Sequence, residues 1–135
     1  MRRDLKQDID IVPSINPHVV TATTSGSAVD LNTTSPAPYN AANAYVSVGA
    51  YNTGTAKYRL QEKDDGGTWA NVTSGNLDGS TTITVSGTGQ QNQAFEVAYR
   101  GSKDQLRWKI TSTNNVGTSG HPGAAYIVAG AKRNK

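Results

Sequence analysis

Leu106-Arg107-Trp108-Lys109-Ile110-Thr111 alternates apolar and polar residues without a break, and its reading decides the fold. Successive side chains of a strand point to opposite faces, so Leu106, Trp108 and Ile110 are expected in a core. Arg107, Lys109 and Thr111 then form a face for solvent or a partner. The same period recurs upstream. Ala44, Val46, Val48 and Ala50 alternate with Tyr45, Ser47, Gly49 and Tyr51, and Tyr58 and Leu60 alternate with Lys57, Arg59 and Gln61. Ile83 and Val85, and then Phe95, Val97 and Tyr99, repeat the pattern. Asn52-Thr53-Gly54-Thr55 and Lys63-Asp64-Asp65-Gly66-Gly67-Thr68 supply the Asn, Asp and Gly that hairpin connections require. The second of these leads into Trp69 and Val72, both expected to pack.

Helical spacing is convincing nowhere, although residues 2 to 8 have the length of a helical turn. About eight to ten short strands at intervals of roughly ten residues predict one antiparallel, all-β domain, a β-sandwich or a barrel. Ala124 to Ala131 is apolar on both faces, as in a central strand or one covered by another subunit. Thr33 to Asn43, Ser74 to Thr81 and Gly87 to Gln93 read as surface loops. The chain divides into an extended N-terminal arm over residues 1–17, the sandwich or barrel over 18–131, and a basic tail over 132–135.

The 135 residues include no cysteine, which excludes disulfides, thiolate metal sites and cysteine nucleophiles. The net charge of +3 is unevenly placed: Arg2, Arg3, Lys6, Lys132, Arg133 and Lys135 put six of thirteen cations in the tails. The body is close to neutral. Its sequence does not display the cations gathered on one face, with aromatic residues for stacking, that mark nucleic-acid binders. No apolar run is long enough to cross a bilayer or to form the core of a signal peptide. The expectation is a soluble protein made in a cytoplasm and used without processing, with no membrane partner and no specific nucleic acid.

No catalytic constellation stands out. His121 lies in Gly120-His121-Pro122-Gly123 and His18 follows Pro17, so both read as turn or surface residues. Asp64 and Asp65 sit at a hairpin tip where solvation keeps carboxyls ordinary. Gly87-Thr88-Gly89 lacks the third glycine and the following helix of a nucleotide-binding loop. The reading is of a protein that is not an enzyme, with no catalytic, cofactor-binding or metal residues and no cofactor. Partner binding is expected instead at Arg2, Arg3, Ile9, Ile11, Val12 and Ile15 in the arm, and at Lys132 and Arg133 in the tail. Pro13 and Pro17 interrupt the arm's apolar residues, which makes it apolar enough to bury but unsuited to regular sheet.

The segment Leu60-Gln61-Glu62-Lys63-Asp64-Asp65-Gly66-Gly67-Thr68-Trp69, followed by Val72 and by Tyr99-Arg100-Gly101-Ser102-Lys103 before a Leu-Arg-aromatic strand, resembles small head proteins of tailed bacteriophages. The opening Met1-Arg2-Arg3-Asp4-Leu5-Lys6, with Asp8, Ile9 and the region of Ile15, is similar to theirs as well. That family includes capsid decoration, or cement, proteins. The resemblance implies a virion protein on the outer capsid surface, partnered by the major capsid protein and by copies of itself, as in a trimer. A carbohydrate- or receptor-binding β-sandwich, with Trp69 or Trp108 exposed, and a neck or tail component are the alternatives.

Overall fold

The computed structural model describes residues 9–31, 39–113 and 120–132. The strands are β1 (Ile9–Val20), β2 (Thr24–Ser25), β3 (Val29–Asp30), β4 (Tyr39–Val48), β5 (Thr55–Lys63), β6 (Ala70–Asn71), β7 (Leu77–Asp78), β8 (Ile83–Val85), β9 (Gln93–Tyr99), β10 (Gln105–Thr113) and β11 (His121–Lys132). Two short 3-10 turns, Ser74–Asn76 and Thr88–Gln90, are the helical elements among the described residues. The first sheet has the order β1-β11-β4-β9-β7. The second runs β2-β10-β5-β6, with β3 also on β10 and β8 also on β5. Neighbouring strands pair antiparallel throughout, and the two sheets stack as an all-β sandwich.

The alternation in the sequence becomes the inner and outer faces. Tyr58, Leu60, Leu106, Trp108 and Ile110 from the second sheet meet Ala44, Val46, Val97 and Ile127 from the first, all buried. The Trp108 indole N–H donates to the Tyr126 carbonyl of the opposite sheet at 3.2 Å. β11 lies between β1 and β4 in the first sheet, with Ala125, Ile127 and Ala129 buried on its inner face and Ala124, Tyr126 and Val128 half-buried on its outer face. The loop expected over Thr33 to Asn43 gives way at Tyr39, where β4 begins. Within the expected Ser74 to Thr81 loop, Leu77 and Asp78 pair with Tyr99 and Ala98.

The N-terminal arm requires correction over its described part. From Ile9 onward the chain is an edge strand of the first sheet, in register with β11 from Ile9 opposite Gly130 to Val20 opposite His121. The prolines are accommodated because an edge strand has one unpaired side, and the register shifts between Pro13 and Ile15 and between Ile15 and His18. Ser14, at the first irregularity, turns inward. Its hydroxyl donates to the Ser27 carbonyl and accepts from the Trp108 N–H, both at 2.9 Å, clipping β1 to the second sheet. Ile15 is buried beside it. A separate arm ending at residue 17 is therefore not seen in residues 9–17, and residues 1–8 lie outside the described residues.

A second clip joins the sheets at the far end of β5. The Tyr99 hydroxyl on β9 donates to Glu62 Oε2 on β5 at 2.6 Å and accepts the Lys103 N–H at 3.0 Å. Lys103 Nζ reaches Asp64 at 2.8 Å. Gly101 permits this corner, since a side chain there would collide with the Tyr99 ring. Gly66, with φ of +75°, makes the preceding turn. Two of the stretches on which the phage-protein resemblance rests, 60–69 and 99–103, thus meet in one inter-sheet latch.

Candidate docking surfaces

The two histidines separate sharply. His18 is exposed, with Nδ1 2.8 Å from the Asn16 carbonyl oxygen. His121, expected in a surface turn, is instead the first residue of β11 and fully buried. Its Nε2 is hydrogen-bonded to the Tyr58 hydroxyl at 2.7 Å, and Gly123 leaves room for that hydroxyl. Burial, with a smaller contribution from His18, lowers the His121 pKa, and burial raises that of Tyr58. The pair is a satisfied core contact. Among the described residues no three His, Asp or Glu side chains are grouped to hold a metal ion.

The sequence-derived binding residues divide along β1. Ile11 is 64% exposed and Val19 45%, and these are the exposed large hydrophobic residues of the described chain. Val12 packs partly against the core and Ile15 lies inside it, so only part of the apolar run is offered outward. Ile9 is opposite Gly130, two residues before Lys132 at the end of β11, which brings the arm's start and the tail's start to one end of the sheet. Arg2, Arg3 and Arg133 lie outside the described residues. Beside Ile11, the outer face of the first sheet carries Val128, Tyr126 and Tyr45. The two tyrosine rings stack with centroids 5.4 Å apart and planes 16° from parallel.

A second surface emerges only once the strands are paired. Between residues 7 and 131 there are seven cations: Lys57, Arg59, Lys63, Arg100, Lys103, Arg107 and Lys109. Arg100 and Lys103 form ion pairs with Asp78 and Asp64. The other five share the outer face of the second sheet. Register places Arg59 directly opposite Lys109 and Arg107 opposite Gln61. Among the described residues the face also holds a carboxylate at its end, Asp30 opposite Gln105.

Trp69 lies over this face, half-buried, and not in the core where it was expected. Asn71 pairs with outward-facing Gln61, and Trp69, two residues earlier, shares its side of the sheet. The Arg107 guanidinium sits 4.3 Å from the ring centroid and Lys63 Nζ 5.2 Å from it. Arg107 Nε donates to Gln61 Oε1 at 2.9 Å, and Gln61 in turn donates to Asn71 at 3.1 Å. Burial lowers the Arg107 pKa, although a guanidinium remains charged at any physiological pH. Arg59 Nε donates to Thr82 Oγ1 at 3.1 Å, beside a depression of about 300 Å³ lined by Arg59, Asn71, Val72, Thr73, Thr81 and Thr82. The signal that could have found the face was already in the sequence, as outward Lys57 and Arg59 on one strand and Arg107 and Lys109 on another. Their pairing was the missing link.

No protein-family pattern and no curated protein matches this sequence. Among solved structures, the fold is similar to that of the PBSX exported protein XepA, with a TM-score of 0.58 at 12% identity. That likeness covers all of this chain, which spans 41% of XepA. It is also similar to the SPBc2 prophage-derived protein YomS, with a TM-score of 0.53 at 12% identity over 90% of this chain and 92% of YomS. At such identities the likeness is one of fold.

Proposed function

We propose that the chain is a non-catalytic structural protein of a bacteriophage particle, a decoration protein that docks on the outside of an assembled capsid shell. The observation that carries this reading is the edge strand β1, where Ile11 stands exposed next to the stacked Tyr126 and Tyr45 and Val19 stands exposed further along the same outer face. Exposed Ile11 and Val19 contribute little to the isolated domain, whereas covering them removes apolar area from water at roughly 25 cal/mol per Å². The shared fold with a prophage-derived protein and the resemblance of the latch segments to phage head proteins support the setting. The major capsid protein and neighbouring copies of the chain are the partners. A ligand that binds only the assembled shell stabilises it by mass action, and many weak contacts act together through multivalency.

The test is sedimentation of the chain with purified phage heads that lack it, followed by localisation of the added density. Ile11→Asp with Val19→Asp should abolish co-sedimentation while leaving the fold intact. Knobs distributed over the shell are expected. A ring at one vertex would assign the protein to the neck or tail, and no binding at all would remove the proposal. A carbohydrate-binding role would need Trp69 as a sugar platform, and its ring carries Arg107 and Lys63.

A further inference from the structure

The cationic face of the second sheet plays no part in the docking proposed above. We infer that it is a separate interaction surface whose partner is an acidic protein surface, held by carboxylates across the Arg59, Lys109 and Arg107 centre.

The first argument is charge. Among the described residues none of the five cations on this face forms an ion pair, while the body's other two cations, Arg100 and Lys103, both do. Arg59 and Lys109 stand directly opposite each other, and like charges in that position oppose folding. A partner's carboxylates would reverse the sign of that interaction.

The second argument is preorganisation. Both guanidiniums are held through Nε by neutral acceptors, Arg107 by Gln61 and Arg59 by Thr82, with the terminal nitrogens not engaged in those bonds. A planar fork fixed in this way suits a carboxylate taken through two parallel hydrogen bonds. Arg and Trp side by side at the centre of a patch are also the residues that dominate protein–protein binding energies.

The third argument chooses between polyanions. Single-stranded nucleic acids are bound by cations together with open aromatic platforms on which bases stack. The aromatic ring on this face, Trp69, is already in contact with Arg107 and Lys63, which favours carboxylate chemistry over stacking.

The test is an NMR titration of the isotopically labelled full chain with a poly-L-glutamate peptide at low ionic strength. Amide shifts should cluster on Lys57 to Lys63 and Arg107 to Lys109, sparing the outer face of the first sheet. Binding should weaken by about tenfold when salt shortens the screening length to a few ångströms. Arg59→Gln with Arg107→Gln should reduce affinity about tenfold. Lys57→Gln with Lys109→Gln, which leaves the Trp69 contacts untouched, should weaken it in the same direction, and Arg100→Gln should not. Absence of shifts on the face would overturn the inference. So would an oligothymidylate bound about tenfold tighter than the peptide with quenching of Trp69, which would assign the face to nucleic acid, or capture by phosphatidylglycerol vesicles without peptide binding, which would assign it to a membrane surface. The titration contains no shell, so its failure and a failure to sediment with heads report on different surfaces.

Discussion

The outer faces of the two sheets are built by the same rule, alternate residues of antiparallel strands, yet they carry opposite kinds of chemistry. The first presents Tyr45, Tyr126, Val128 and Ile11, with Glu96 as its neighbour on β9. The second presents Lys57, Arg59, Lys63, Arg107 and Lys109. Stacked tyrosines contribute to the stability of the isolated domain. A cross-strand pair of like charges opposes it, so folding alone does not account for the second face. The difference teaches that the two surfaces answer to different partners, one to an apolar contact along an edge and the other to negative charge.

The latch is where that opposition can be broken most severely, because it ties β9 to β5 and so sets the two sheets against each other. Tyr99→Phe leaves the nearly buried Glu62 carboxylate without its hydroxyl donor, and a loss of about 2–3 kcal/mol is expected in urea unfolding. A smaller effect belongs to the neutral face: Tyr126→Ala should cost about 1–2 kcal/mol by removing a half-buried stacked ring. That loss should be insensitive to salt, which sharpens the contrast with the cationic face.

His121 adds a pH dependence from between the sheets. Its folded pKa is lowered, so the unfolded chain binds the proton more readily. The associated stability is fully present above the ordinary histidine value of about 6.5 and is lost as pH falls through the lower folded pKa. Thermal unfolding of the wild type should therefore decline over that range, and His121→Gln should flatten the decline. The smallest effect belongs to the cationic face. Arg59→Gln should stabilise the domain by a few tenths of a kcal/mol at low salt, with the gain vanishing at high salt. A clear loss of stability that salt does not remove would mean that the face serves folding after all.

How much of this was legible in the sequence depended on whether the deciding interaction was local. The alternation in β4, β5, β9 and β10 identified Val46, Tyr58, Val97 and Trp108 as core because one buried face imposes a period of two. The turn at Asp64 to Gly67 was legible from its own residues. Pairing between distant strands was not. Pro13 and Pro17 read as barriers to sheet because their tolerance depends on β1 lying at an edge, a property of the whole sheet. His121 read as a turn residue because Gly and Pro surround it, whereas those neighbours bring β11 past Tyr58 and Val20. Trp69 read as core because a hairpin aromatic usually packs, and the β5–β6 register turned it outward. The cationic face needed the β5–β10 register to bring Arg59 and Lys109 together. The apolar edge was half visible: of the residues the arm reading grouped together, Ile11 is exposed on the outer face, whereas Ile15 faces the core.

The most direct test of the account is competitive sedimentation with undecorated phage heads, comparing wild type with Ile11→Asp/Val19→Asp. The account predicts that wild type saturates the shell and that the double variant, folded by circular dichroism, remains in the supernatant. Equal binding of the two would contradict the assignment of the β1 edge as the docking surface.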